Sequence, residues 1–371
     1  MSLNVEELKH LRRGSFYIHS LRAKNTFLRA QSLVRLVLWR LLWLVVVLVT
    51  ISVTIASALL SIRLEKRLSV LCVDVHKVTK PRVPCNGGFA VFSGLVTGTL
   101  LALLTGCVRA EVGEAVLLSL AIAFCTGLTD DLVDLKSRWK ILLGVLPALP
   151  TLLLQVYTPR PWIPFAGFVR ISRLYPLLLL AAFTVYQNGA NMIDTHNGVL
   201  PVFTLSLHAF ALVVKILTGS GIGEESTLLL LTFTAALLAY TPFNAYPARI
   251  FNGNTGAFVI GATVPLMLAL NRLEFYYVLA SAPMYVNGFY YLASVKGFLQ
   301  KESVKRPTYV DEKGCIHASR DPLAPITLVR LVTRSSNTGF SEKELVIVLY
   351  TLSVLSSALA SAIVLLLGYP S

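Results

Sequence analysis

Charged residues and cysteines are scarce in this sequence. Only 14% of the 371 residues are charged, whereas 55% are hydrophobic. Apolar runs of about 20 residues, the length that crosses a bilayer, recur along the chain and exclude a soluble domain with a single core. The five cysteines are scattered without a C-x-x-C pair, so that neither a zinc site nor a disulfide framework is predicted. No nucleic-acid-binding motif is present.

Acidic residues are scarcer than basic ones, and the formal net charge is +14. In a membrane protein this excess indicates anionic headgroups or phosphate-bearing substrates. The basic segment 1–40 shows no cleavage-site pattern, so we expect no removable signal peptide. This segment is predicted to be a unit of its own, either an amphipathic helix on the membrane surface or a poorly ordered tail. Residues 41–371 are predicted to form the membrane domain.

Ten apolar runs predict an all-α, polytopic membrane protein with about ten transmembrane helices, because helices satisfy their own backbone polar groups in lipid. No soluble domain is inserted, and the longest hydrophilic segment is residues 294–344. The predicted spans are 41–62, 88–108, 114–129, 141–157, 174–191, 199–217, 226–243, 256–271, 275–293 and 345–367.

The unusual polar residues lie in the loops that follow every second span, beginning with the first. A ten-span topology places these loops on one face of the membrane. They also carry most of the lysine and arginine residues, so the positive-inside rule places this face, with the active site, in the cytoplasm. The basic segment 1–40 then falls on the opposite side, in conflict with the same rule.

The loop after the third predicted span contains the sequence T-D-D-L-V-D-L-K-S-R-W-K, residues 129–140. If the turn is helical, Asp130, Asp131 and Asp134 share one face. Carboxylates followed by cations such as Lys140 at a membrane boundary suit a divalent metal and a diphosphate. A solvated helix end is the alternative interpretation.

Two later loops are rich in amides. Asn188, Asn191 and Asp194 are spaced by three residues and should share one helical face. Such a cluster within a membrane protein is costly and indicates function, although hydrogen bonding between helices is the alternative. The sequence F-N-G-N-T-G begins at Phe251, and its helix-start N–H groups could meet an anion while the ring stacks on a ligand. A plain turn is the alternative there.

Two basic loops complete the set. The loop after the first span includes Lys80, two prolines that stiffen it, and a Gly-Gly pair that allows close backbone approach. The loop at 294–344 includes Arg306, His317 and Arg320, whose side chains could cover a phosphate-rich ligand. Solvated basic loops are the alternative interpretation for both.

From residue 74 to residue 346 the chain resembles the polyprenyl-phosphate N-acetylhexosamine-1-phosphate transferase superfamily, of the glycosyltransferase family 4 type. The strongest match is D-D-x-x-D with a lysine ten residues after the first aspartate, Asp130 to Lys140. The amide motif that ends in Asn197-Gly198 and the motif F-x-G-N-T-G support it. The resemblance is greatest to archaeal and eukaryotic members that use UDP-GlcNAc and dolichyl phosphate.

The resemblance implies a phosphotransferase. It would transfer N-acetylhexosamine-1-phosphate, in the first place GlcNAc-1-phosphate, from a UDP-sugar to a polyprenyl phosphate and release UMP. This reaction would be the first membrane step of lipid-linked glycan synthesis, such as N-glycosylation, with Mg²⁺ or Mn²⁺ as cofactor. The expected partners are the UDP-sugar, the lipid acceptor and the membrane, with no nucleic acid, and a homodimer is considered.

The resemblance also implies roles for individual residues. Asp130, Asp131 and Asp134 lie at the catalytic carboxylate positions, and Lys140 would neutralise phosphate charge. Asn191 and Asn254 would hold the metal, and we add Asp194 as a hypothesis. Asn197 and Phe251 would receive the uracil. The remaining substrate-binding positions are Lys80, Asn188, Arg306, His317 and Arg320.

Three features depart from the family pattern. Asn254 stands where the family usually has aspartate, which removes one negative metal ligand and leaves a loss of activity open. The sequence D-T-H-N-G, which begins at Asp194, replaces a version with small residues. Residues 294–344 contain no consecutive histidines, which argues against a MurNAc-pentapeptide donor. The rival interpretations are a Mg²⁺-dependent intramembrane prenyltransferase and a transporter of an anionic lipid or nucleotide.

Overall fold

The structure is a computed structural model that describes residues 5–221, 224–295 and 304–370, with side chains from residue 37 onward. The chain divides into two compact units, Met1–Val45 and Val46–Ser371. In the first unit the described residues belong to the N-terminal part of helix α1, which runs over Val5–Leu68. Every site residue discussed below belongs to the second unit.

Helices form most of the second unit. After α1 they are α2 (Gly88–Leu104), α3 (Ala110–Val133), α4 (Ser137–Leu143), α5 (Leu149–Leu153), α6 (Tyr175–Ile193), α7 (Val199–Thr218), α8 (Glu225–Asn244), α9 (Gly253–Asn271), α10 (Glu274–Ala280), α11 (Ala282–Ser294), α12 (Leu328–Arg334) and α13 (Glu342–Leu366). A 3₁₀ turn at Leu146–Ala148 precedes α5.

Within the described ranges, three small antiparallel sheets lie in the connections between helices. Strands β1 (Leu71–Val73) and β2 (Arg82–Pro84) form one hairpin, and β3 (Trp162–Ile163) and β4 (Gly167–Phe168) form another. Strand β6 (Cys315–Ala318) pairs with both β5 (Thr308–Val310) and β7 (Phe340–Ser341). Strand β7 leads directly into α13, where Ser341 and Glu344 form a capping box.

Six helices among the described residues are long and apolar enough to cross a membrane: Val37–Leu68, Ala110–Val133, Val199–Thr218, Glu225–Asn244, Gly253–Asn271 and Glu342–Leu366. A shorter apolar helix, Gly88–Leu104, accompanies them. The predicted all-α, polytopic membrane architecture is confirmed.

The prediction of one continuous helix over residues 141–157, and of another over residues 275–293, is wrong. The first is divided into α4, the 3₁₀ turn and α5, with a proline at the start of the last two pieces. The second is divided at Ser281, and Pro283 lies in the first turn of α11. Proline has no backbone N–H and cannot continue the hydrogen-bonding pattern of a helix from the preceding turn.

Helix α9 lies at the centre of the second unit and packs against α2, α3, α6, α7 and α8. Small residues allow this close packing. A Cβ atom added to Gly127 of α3 would lie 2.6 Å from the Cα atom of Thr255 in α9. A Cβ atom added to Gly261 of α9 would lie 2.8 Å from the Cα atom of Gln187 in α6. The helices that carry the predicted motifs therefore approach one another at glycine.

A disulfide joins Cys72 and Cys85 beside the β1–β2 hairpin, with their Cα atoms 5.6 Å apart. The expectation that the cysteines form no disulfide is therefore wrong. The two residues belong to no spacing motif, and only the antiparallel pairing of the strands brings them together. The carboxylate of Glu65, near the end of α1, accepts hydrogen bonds from the backbone N–H groups of Cys85 and Asn86 and holds the base of the hairpin.

We expect Gly127→Ala to separate α3 from α9, because the new methyl group would overlap backbone atoms of Thr255 and Asn254 that cannot rotate away. The loss of stability should be about 1–3 kcal/mol. The matched control is Gly288→Ala in α11, where an added Cβ has no neighbour within 4 Å and the change should be neutral or slightly stabilising. Melting temperatures of the purified variants in detergent test this, and equal values for both would contradict the packing described here.

Candidate active site

A cavity of about 330 Å³ lies where four of the predicted motif loops meet. Its lining comes from the β1–β2 hairpin, the end of α3, the residues around the end of α6, and the connection from α8 to α9. Six of the residues singled out in the sequence are part of this lining: Asp131, Asn191, Asp194, Asn197, Phe251 and Asn254. The predicted convergence of separate polar loops on one site is therefore present for these residues.

Asp131 joins the end of α3 to the beginning of α9. One carboxylate oxygen accepts a hydrogen bond from the backbone N–H of Asn254 at 2.8 Å. The other accepts from the backbone N–H and the hydroxyl of Thr255, at 2.8 and 2.5 Å. Since the first N–H groups of a helix have no partner within the helix, this carboxylate caps α9. These two N–H groups, which were expected to meet a substrate anion, are thus occupied by Asp131.

Asp130 faces a different partner. Its carboxylate is buried and forms an ion pair with Lys140 of α4, at 2.6 Å. It also accepts a hydrogen bond from the backbone N–H of Leu135 at 2.9 Å. The pair brings the lysine of the motif back beside its first aspartate, so that a partly buried cation is paired with the sequence neighbour of the cavity-lining Asp131.

The three carboxylates do not share one helical face, and that prediction is wrong. Helix α3 ends at Val133, and Asp134 is its C-cap residue in a left-handed conformation with φ 44°. The change of backbone direction at Asp134 removes it from the face that a continued helix would have given it. Asp130 and Asp131, as neighbours on a helix, project about 100° apart and meet α4 and α9 respectively.

Amide side chains line the opposite part of the site. The Asn191 amide donates to the side-chain oxygen of Asn254 at 3.1 Å. The Asn252 amide donates to Asp194 at 2.8 Å, and its own oxygen accepts from the hydroxyl of Tyr240 at 2.8 Å. Burial raises the pKa of Asp194 to about 7, although the hydrogen bond from Asn252 lowers it. The carboxyl group of Asp194 therefore ionises close to neutral pH.

Asn188 does not join the other amides at the cavity. Its amide nitrogen donates to the backbone carbonyl of Thr184 at 2.9 Å and to that of Lys140 at 3.4 Å. It lies at the contact of α6 with α4 and supports the segment that carries the lysine. The three-residue spacing predicted a common face, but only Asn191 and Asp194 belong to the cavity lining.

The oxygen atoms around the cavity fit a hard divalent cation. Asp131 and Asp194 contribute carboxylates, and Asn191 and Asn254 contribute amides, all to the same lining. Within the described part of the chain, no group of three or more His, Cys, Asp or Glu side chains could hold a metal ion. Mg²⁺ accepts amide oxygens and is commonly completed by substrate phosphates, so the donor set fits a cation that shares its ligands with a diphosphate.

Two histidines that the sequence interpretation did not assign also line the cavity. The rings of His76 and His196 stack with centroids 4.0 Å apart. The Nε2 atom of His76 donates to the carbonyl oxygen of Thr195 at 3.0 Å. Burial lowers the pKa of both rings, and that of His196 lies well below its usual range. Their signal in the sequence was weak: His76 lies two residues after Asp74, and His196 directly precedes Asn197.

The last helix holds two walls of the cavity in place. Lys77, in the connection between β1 and β2, forms ion pairs with Asp74 and with Glu342 of α13, the latter at 2.9 Å. Burial lowers the pKa of Lys77, but the hydrogen bonds to both carboxylates outweigh it and leave the pKa raised. The hydroxyl of Tyr350 in α13 donates to the backbone carbonyl of Asn197 at 2.5 Å.

The remaining predicted residues lie outside the cavity lining. Lys80 occupies an exposed turn with φ 44°. Burial is the main cause of the lowered pKa of His76, and the charge of Arg306 contributes to it. His317 pairs with Asp311 at 2.9 Å on the β5–β6 sheet. The substrate contacts expected of these residues, and of Arg320, remain predictions.

Residues 114–271, which include the ends of α3, α6 and α8 and all of α9, match the profile described as Glycosyl transferase family 4. Two proteins provisionally named UDP-N-acetylglucosamine–dolichyl-phosphate N-acetylglucosaminephosphotransferase are similar to the chain. The one from Saccharolobus solfataricus is 30% identical over 55% of this chain and 63% of its own length. The one from Sulfolobus acidocaldarius is 28% identical over 81% of this chain and 89% of its own length.

A phospho-N-acetylmuramoyl-pentapeptide-transferase from Thermotoga petrophila is 30% identical over 49% of this chain and 62% of its own length. The chain thus spans a little under two thirds of the length of two of these three relatives. The matched residues include Asp131, Asp194 and the asparagines that line the cavity. The resemblance to glycosyl transferase family 4 that the motifs predicted is confirmed over residues 114–271.

Proposed function

We propose that the protein transfers N-acetylhexosamine-1-phosphate, in the first place GlcNAc-1-phosphate, from a UDP-sugar to a polyprenyl phosphate of the dolichyl type. The products are the polyprenyl-diphosphate-sugar and UMP. The observation that carries this proposal is the cavity at which carboxylate and amide oxygens from α3, α6 and the start of α9 meet, next to the ion pair of the buried Asp130 with Lys140. The names of the two dolichyl-phosphate relatives support the donor and the acceptor.

The reaction joins two anions. An oxygen of the lipid phosphate attacks the sugar-bearing phosphorus of the donor, and the bond from this phosphorus to the oxygen of UMP breaks. Phosphoryl transfer of this kind depends on positioning and charge neutralisation more than on covalent help from the protein. Lys140 contributes a cation that Asp130 keeps in place, and Asp131 fixes the beginning of α9, which carries Asn254.

A Mg²⁺ or Mn²⁺ ion fits this proposal. Asn191 and Asn254 would hold it, with Asp194 as a further ligand, and these three residues line the same cavity. When bound, the ion would neutralise the donor's diphosphate. The amide nitrogen of Asn191 donates to Asn254, so this pair already orients the side-chain oxygen of residue 254. In its ionised form Asp194 would supply the negative charge that Asn254 lacks.

The protein is an integral membrane protein. We propose that its cavity faces the cytoplasm, because the loops that form it belong to the strongly basic face of the predicted topology. A UDP-sugar would then reach the cavity from the cytoplasm and the lipid phosphate from the bilayer. The product would begin a lipid-linked glycan. The absence of consecutive histidines in residues 294–344 favours UDP-GlcNAc over a MurNAc-pentapeptide donor.

The direct test is UMP release by the purified protein in detergent. The reaction would contain Mg²⁺, a long-chain polyprenyl phosphate and one donor from a panel of UDP-GlcNAc, UDP-GalNAc, UDP-glucose and UDP-MurNAc-pentapeptide. We expect UMP with UDP-GlcNAc, in amounts that require both the lipid phosphate and the metal. Failure of every N-acetylhexosamine donor to release UMP would falsify the proposed reaction.

We expect Lys140→Ala to lower kcat by about a hundredfold or more, because it removes a cation from the reacting phosphates and leaves Asp130 buried without its partner. Asp131→Asn should have an effect of similar size, since it loses an acceptor that fixes the start of α9. The control is Lys136→Ala, a change at an exposed lysine of the same segment. Wild-type rates in both test variants, with unchanged melting temperatures, would remove these residues from the site.

We expect Asn254→Asp to lower the Mg²⁺ concentration required for half-maximal activity by about tenfold, because a carboxylate binds this cation more tightly than an amide does. The substituted side chain keeps an oxygen that can accept from Asn191. A Mg²⁺ titration of UMP release measures the effect, with Asn254→Ala as the variant expected to need more metal than wild type. Identical titrations for all three proteins would show that residue 254 is not a metal ligand.

A further inference from the structure

The cavity has two parts of different chemistry. One part presents the oxygen atoms of Asp131, Asn191, Asp194 and Asn254, which suit a metal and a diphosphate. The other part presents an imidazole and an amide, and the side chains of His196 and Asn197 there are each 95% buried. The Nε2 atom of His196 and the amide nitrogen of Asn197 are buried and have no hydrogen-bond partner among the described residues. Buried polar atoms are nearly always paired in folded proteins, so these two atoms indicate a ligand.

The orientation of the His196 ring is fixed. One face of the ring stacks on His76, with an interplanar angle of 23°. Its Nδ1 atom lies 3.2 Å from the hydroxyl oxygen of Thr195. His76 is held in turn by the carbonyl oxygen of Thr195 and by the side chain of Asp74, which accepts from the backbone N–H of His76 at 3.2 Å. These contacts leave Nε2 as the hydrogen-bonding atom of His196 that remains for a ligand.

The chemistry of this part of the cavity matches a nucleobase better than a phosphate. A phosphate is bound most strongly by cationic donors, whereas no lysine or arginine is among the residues that line the described cavity. Phe251 belongs to the same lining and offers a ring face on which a planar group can stack. Asn244 does not compete for the ligand, because its side chain accepts from Gly198 N–H and donates to the Ile250 carbonyl.

We propose that His196 binds the nucleobase of the donor through one hydrogen bond at Nε2, and that His76 is a positioning residue that holds the imidazole by stacking. The ligand is the uracil ring, a neutral planar group with carbonyl oxygens and an N–H along its edge. This inference rests on the proposed function, because that function supplies the nucleotide. It adds to that function two residues that contribute to nucleotide affinity and take no part in the phosphoryl transfer.

Two ligands that differ only by the base provide the test. UMP carries uracil, ribose and phosphate, and ribose 5-phosphate lacks the base. Binding of each to the purified full-length protein in detergent with Mg²⁺ would be measured by isothermal titration calorimetry. We expect His196→Leu to weaken UMP binding by about tenfold, the range for loss of one buried hydrogen bond. Its binding of ribose 5-phosphate should remain within about twofold of wild type, which also shows that the variant is folded.

Conservative variants separate a hydrogen bond from a packing effect. His196→Gln keeps a polar end group and should recover part of the UMP affinity lost in His196→Leu. His76→Phe keeps a stacking ring and should bind UMP more tightly than His76→Ala. In turnover assays His196→Leu should raise the KM for the UDP-sugar by about tenfold and leave kcat and the KM for the lipid phosphate nearly unchanged, as expected for uniform binding.

Equal losses of affinity for UMP and ribose 5-phosphate in His196→Leu would overturn the inference, because the residue would then act on the phosphate or on the fold. Unchanged UMP affinity would overturn it as well. In both cases wild-type protein still binds UMP and releases it from a donor, so the proposed function stands. If wild-type protein neither binds UMP nor forms it, the proposed function fails and the inference fails with it.

Discussion

The site depends on the carboxylate of Asp131, which joins the end of α3 to the beginning of α9. It accepts three hydrogen bonds, from the backbone N–H groups of Asn254 and Thr255 and from the hydroxyl of Thr255. The two N–H groups belong to the first turn of α9 and have no partner within the helix. Gly127 lies one helical turn earlier and allows the two backbones to approach closely enough for this cap to form. Asp131, which the sequence placed at a catalytic carboxylate position, thus also holds the backbone of Asn254 in position.

A second group of contacts ties the remaining walls to the end of the chain. Glu342 and Tyr350 of α13 hold Lys77 and the backbone of Asn197, which belong to loops far apart in the sequence. Loss of either partner would leave the other charged or polar group partly buried and unpaired, at a cost in free energy. These contacts therefore hold the loops in position. The last span therefore contributes to the geometry of the cavity although the family match ends at residue 271.

The motifs allowed much of the site to be predicted, and the errors have physical reasons. Residue type and spacing singled out Asp131 and Asn191, since clustered carboxylates and amides are rare in so apolar a chain, and the resemblance to the family added Asn254. Spacing misplaced Asp134 and Asn188, because a left-handed residue ended α3 and because α4 packed against α6. Prolines divided two predicted spans into shorter helices, whereas their apolar composition alone predicted continuous helices.

The amino-acid sequence by itself determined the membrane architecture, the order of the motifs and the resemblance to a family, because apolar length and clustered polar residues are local properties that need no knowledge of contacts. Only the tertiary structure decided which side chain meets which. It paired Asp130 with Lys140 and Asp131 with α9, joined Cys72 to Cys85, and stacked His76 on His196. These contacts link residues whose separation in sequence carries no signal, and their directions follow from how the helices and hairpin pack.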